Sequence, residues 1–73
     1  MKNQVRRLKA LLRIMPGALF TSINLYDDSI SIWSDMNKEM IQALFNNKFR
    51  HVATDEERGW LVFKRGCIEV TLD

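Results

Sequence analysis

The apolar positions of this chain fall into two alternating rhythms. Between residues 3 and 15 they recur every three or four residues, as Val5, Leu8, Leu11, Leu12 and Met15. At 100° per residue these five lie within an arc of about 120°, which predicts an amphipathic helix. Pro16-Gly17 is its stop signal. The next stretch, ALFTSINLYDDSISIWSD, alternates with period two. A two-residue turn at Asp27-Asp28 sets Leu25 opposite Ile30 and Ile23 opposite Ile32, so four aliphatics share one face. The opposite face carries Ser22, Asn24, Tyr26, Ser29, Ser31 and Trp33.

Helical spacing then returns at Met36, Met40, Ile41, Leu44 and Phe45, with Ser34 or Asp35 as N-cap and Asn46-Asn47 as the stop. Residues 49 to 54, FRHVAT, read as a weak strand, and DEERG as a polar loop. The closing stretch, GWLVFKRGCIEVTLD, is a hairpin with an anomaly. Trp60, Leu61, Val62 and Phe63 are apolar in succession, although neighbouring strand residues point to opposite faces. A two-residue turn at Arg65-Gly66 would put Leu61 and Phe63 inside and Trp60 and Val62 outside, but at the cost of a positive φ for arginine. A type I turn through Lys64-Arg65, with Gly66 in a left-handed bulge position, spares it that strain. That register places Val62 opposite Ile68 and Trp60 opposite Val70, facing the core. Leu61 and Phe63 then emerge on the far side, the side that Trp33 also occupies.

Helix, hairpin, helix and three strands make a two-layer α+β domain of order α-β-β-α-β-β-β. Two helices, each with one apolar stripe, are expected on one face of a small antiparallel sheet. Seventy-three residues form a single domain, 1–73, with no room for a second core. The 47% hydrophobic content supports a real core and argues against disorder.

Charge adds an asymmetry. The net charge is +2, yet residues 1 to 26 carry Lys2, Arg6, Arg7, Lys9 and Arg13 without a single acid. The remaining residues hold six basic and nine acidic side chains, a net of −3. On the helical wheel Lys2, Arg6, Lys9 and Arg13 fall within about 60° of one another, away from the leucine stripe, as a basic ridge about 16 Å long. Its bland reading is a solvated helix face; its functional reading is contact with phosphates or an acidic protein surface. The lack of interleaved Glu or Asp, which would stabilise the helix internally, raises the second. No stretch approaches the roughly 20 apolar residues of a membrane span. The basic opening has the look of a signal peptide, but Arg13 and Pro16-Gly17 break its apolar run, which argues against export. A lone cysteine, Cys67, cannot form an internal disulfide, so a reduced, cytoplasmic setting is expected.

Candidate chemistry is sparse. His51 is the only histidine, and beside Asp55 it has no nucleophile to serve. Cys67 follows a turn glycine with Lys64 and Arg65 close by, but a small hydrophobe in a strand accounts for it. Asp27-Asp28 and Asp55-Glu56-Glu57 lack calcium-loop spacing, and no glycine-rich phosphate loop is present. No catalytic residue, cofactor or metal is therefore assigned, and the chain is read as a non-enzyme. The expected function is a small protein-interaction module whose apolar sheet face, Trp33 with Leu61 and Phe63, meets a protein partner or a second copy as a homodimer. Size and composition associate such chains with phage and mobile-element accessory proteins. The second expectation is a nucleic-acid-binding protein using the ridge; a membrane partner is not expected.

Overall fold

The computed structural model describes residues 2–16 and 19–73, Lys2 by its backbone alone. Helix α1 spans Lys2–Leu12 and is followed by strands β1 (Phe20–Leu25) and β2 (Ile30–Ser34). Helix α2 spans Lys38–Asn46, and β3 (Arg50–Asp55), β4 (Trp60–Arg65) and β5 (Ile68–Leu72) complete the order α-β-β-α-β-β-β. The five strands form one sheet in the order β1-β2-β5-β4-β3.

Three of the four pairings are antiparallel, but β2 and β5 run parallel, Ile30 beside Ile68 and Ile32 beside Val70. The sheet is mixed rather than purely antiparallel. The reason lies in burial: β2 and β5 are the strands with the most fully buried apolar side chains. Placing them side by side at the centre lets both helices cover both, and α2 with the β3–β4 hairpin supplies the long connection that a parallel pair requires. The core holds Leu11 and Met15 from the first helical segment and Met40 and Leu44 from α2. From the strands and Phe49 it takes Ile30, Ile32, Phe63, Ile68, Val70 and Leu72.

The first hairpin has the expected register, Leu25 opposite Ile30 and Ile23 opposite Ile32, with Tyr26 donating to the Ser29 carbonyl around Asp27-Asp28. The helix ends differ from expectation. The chain tightens after Leu12, where Ile14 and Met15 both donate to the Leu11 carbonyl. Gly17 lies outside the described residues. The cap of α2 is Asn37, whose side chain accepts from the Glu39 amide at 2.7 Å. Ser34 belongs instead to β2, buried, its hydroxyl donating to the Leu19 carbonyl at 3.1 Å. At the other end Lys48 donates to the Phe45 carbonyl and Phe49 to that of Leu44. This is the Schellman pattern, and it forces Lys48 to φ 66°, a position that usually takes glycine.

Helix α1 docks rotated by about 30° from the expected stripe, at 100° per residue. Gln4, Leu8, Leu11 and Met15 face the core, and Val5 and Leu12 are exposed. Gln4 is 1% exposed, an amide where a leucine stripe was expected.

Candidate interaction surfaces

The closing hairpin decides what the far face of the sheet presents. Its partners are Arg65 with Ile68, Phe63 with Val70 and Leu61 with Leu72, closed by a two-residue turn at Gly66-Cys67. Gly66 has φ 58° and Cys67 is not among the positive-φ residues, the pattern of a type II′ turn with glycine first. The register expected from a Lys64-Arg65-Gly66 turn is therefore corrected, and every side chain of β4 changes face. Leu61 and Phe63 point into the core, Phe63 only 2% exposed, so neither belongs to a partner-binding surface. Trp60 and Val62 emerge on the far face in their place.

There they join Trp33, the one residue of the expected trio on this side. Trp33 lies beside Thr71 on β5, and Thr71 lies beside Val62 on β4. Trp33 and Trp60 reach towards each other across β5, ring centroids 4.7 Å apart at 85°, an edge-to-face packing. Thr71 beneath them is 4% exposed although no third layer exists on this side among the described residues. The Arg58 guanidinium sits 4.8 Å over the Trp60 ring and 3.9 Å from Asp55, the one ion pair among the described residues. Trp33, Trp60 and Val62 nevertheless remain half-exposed. Around them the face carries Ser22, Asn24, Ser31, Glu69, Lys64 and Arg50.

The basic ridge keeps its exposure. Arg6, Lys9 and Arg13 are solvent-exposed, and the Lys2 side chain lies outside the described residues. A different arginine of α1 is engaged. Arg7 Nη1 donates to Gln4 Oε1 at 2.9 Å and to Cys67 Sγ at 3.1 Å, tying the helix to the β4–β5 turn. Arg65, on β4, donates to the Asn47 carbonyl at 2.9 Å and lies 4.8 Å over the Phe49 ring. The two arginines line a cleft of about 510 Å³ with Ala10, Gly66, Cys67 and Ile68.

His51 and Asp55 are not brought together. His51 stands opposite Phe63 on the core side of β3 and Asp55 opposite Trp60 on the far side. His51 Nε2 pairs instead with Thr54 Oγ1 at 2.8 Å, and its ring lies 5.4 Å from that of Phe63. Among the described residues no three His, Cys, Asp or Glu side chains cluster as metal ligands, and no helix is long and apolar enough to cross a membrane.

Sequence reasoning assigned Trp60 and Val62 to the core and missed Arg7 and Arg65. For the first two a signal existed: glycine in the first place of a two-residue loop suits a type II′ turn and sets their face. For the arginines none did, because their meeting depends on how α1 docks. No family model, curated protein or solved structure matches the chain.

Proposed function

We propose that this protein is a non-enzymatic interaction module that pairs with a second copy of itself through the far face of its sheet. The observation that carries this reading is the half-exposed cluster of Trp33, Trp60 and Val62 on a sheet whose helices all lie on the other side. Aromatic side chains ringed by polar groups are the usual composition of an interface centre. The surroundings favour a second copy over a strongly charged partner. Lys64 sits opposite Glu69 and Arg58 pairs with Asp55, so the face is mixed in sign and meets its own image without net repulsion.

Edge-to-edge pairing is the less favoured geometry. Both edge strands are interrupted, β1 between Phe20 and Ser22 and β3 between His51 and Ala53. Such bulges spoil the ladder that an incoming strand would extend. The contact proposed is therefore face to face.

Light scattering across a dilution series from about 10 µM to about 1 mM tests this, since dimer population follows mass action. The expected mass rises from the 8.6 kDa of one chain towards twice that value. Val62→Lys, which puts a charge at the centre of the face, is expected to hold the mass at 8.6 kDa with an unchanged circular dichroism spectrum. A wild type that stays at one chain mass at the highest concentration overturns the proposal.

A further inference from the structure

The cleft between α1 and the β4–β5 turn is lined by two guanidinium groups with no acidic partner. Arg7 is held by an amide oxygen and a thiol, and Arg65 by a backbone carbonyl and an aromatic ring. Every one of these contacts is with an uncharged group. Each positive charge is therefore positioned but not neutralised, although the chain carries nine acidic residues that could have served. Two arginines lining one space suit an oxyanion, and above all phosphate, which accepts the paired N–H groups of a guanidinium.

The surroundings extend that preference along a line. Ala10 shares the cleft with Arg7. On the helical wheel Arg6 and Arg13 lie about 40° to 60° beyond Ala10, at 100° per residue, so the exposed cations continue from the mouth of the cleft around α1. The first 26 residues contain no acid to interrupt them. A single phosphate would leave that row unused, whereas a phosphodiester chain presents charges at regular spacing along its length. The geometry points to nucleic-acid backbone binding, with one phosphate held between Arg7 and Arg65 and its neighbours met by Arg6, Lys9 and Arg13. No side chain here is placed to read bases; the paired tryptophans lie on the opposite side of the sheet, with Arg58 already over Trp60. The binding is accordingly independent of sequence.

Fluorescence anisotropy with labelled 20-mers of mixed sequence, one single-stranded RNA and one duplex DNA, tests the proposal on the full chain. The wild type is expected to bind at least one of them at about 50 mM salt and to weaken steeply by about 200 mM. Arg7→Gln is expected to weaken binding about tenfold for every sequence and to reduce the logarithmic salt slope by about one. Because Arg65 also holds the Asn47 carbonyl, Arg65→Lys is the companion variant, keeping the charge while losing the fork; its expected loss is smaller. Arg58→Gln, on the far face, is expected to leave binding unchanged. The proposal is overturned if the wild type binds neither oligonucleotide at low salt, or if a folded Arg7→Gln binds as the wild type does. It is equally overturned if pyrophosphate binds the cleft while both oligonucleotides are ignored.

Discussion

Lys48 shows what a single residue contributes against its own preference. Its φ of 66° closes α2 and lets the Phe49 amide reach the Leu44 carbonyl at 2.9 Å, which turns Phe49 into the core at 2% exposure. A side chain in that left-handed position costs about 1 kcal/mol relative to glycine. The chain accepts the cost because the turn itself anchors an aromatic. Lys48→Gly is therefore expected to stabilise the protein by about 0.5–1 kcal/mol, part of the gain being lost to the freer unfolded chain. In a domain of this size that raises the thermal midpoint by about 2–8 °C, measurable by circular dichroism. A lower midpoint for the glycine variant would show that the lysine side chain makes contacts outweighing its backbone strain.

At the scale of elements, the β4–β5 hairpin is the sharpest test of the fold. Phe63 is buried in the core at 2% exposure, its ring edge to face at 5.4 Å with that of the exposed Phe45, whereas its neighbour Val62 lies on the half-covered face. Phe63→Ala is expected to cost about 3–5 kcal/mol, enough to leave so small a domain largely unfolded. Val62→Ala is expected to cost about 1 kcal/mol or less, since its side chain is only partly withdrawn from water. Urea titrations of the two variants report the register directly, and equal losses would contradict it. Element order, the first hairpin and most of the α2 face were legible because each rests on local periodicity: Leu25 with Ile30 and Met40 with Leu44 need nothing beyond their neighbours. The β4 register was not, because Trp60 to Phe63 are apolar on both faces and only the turn breaks the tie. A two-residue turn at Arg65-Gly66 strains the arginine, whereas moving it one residue on puts Gly66 where positive φ costs least. The rotation of α1 was hidden for a related reason. Gln4 is buried with its amide oxygen accepting from Arg7 and its amide nitrogen unpartnered, and polar burial of that kind leaves no periodic mark. Both candidate surfaces inherit these two misreadings, which is why Trp33 alone survives from the expected apolar trio.

At the scale of the molecule, two surfaces of different chemistry lie on different sides of one sheet. The tryptophan cluster occupies the side away from the helices, and the arginine cleft lies where α1 meets the β4–β5 turn. Pairing through the first leaves the second open, so a dimer would carry two cationic clefts on one particle. The strand order has a further consequence, for the time at which structure can form. β5 holds the central place, with the β1–β2 hairpin on one side and β4–β3 on the other, yet it comes after all four of them in sequence. During synthesis the two halves emerge with nothing between them, and no sheet wider than a hairpin can persist until Ile68 to Leu72 leave the ribosome tunnel. Assembly of the sheet then waits on β5, which follows the other four strands in sequence. A chain ending at Gly66 is expected to lack cooperative unfolding, and a synthetic peptide of residues 67 to 73 added in trans is expected to restore it. Cooperative melting of the truncated chain alone would show that the two hairpins meet without the strand that joins them.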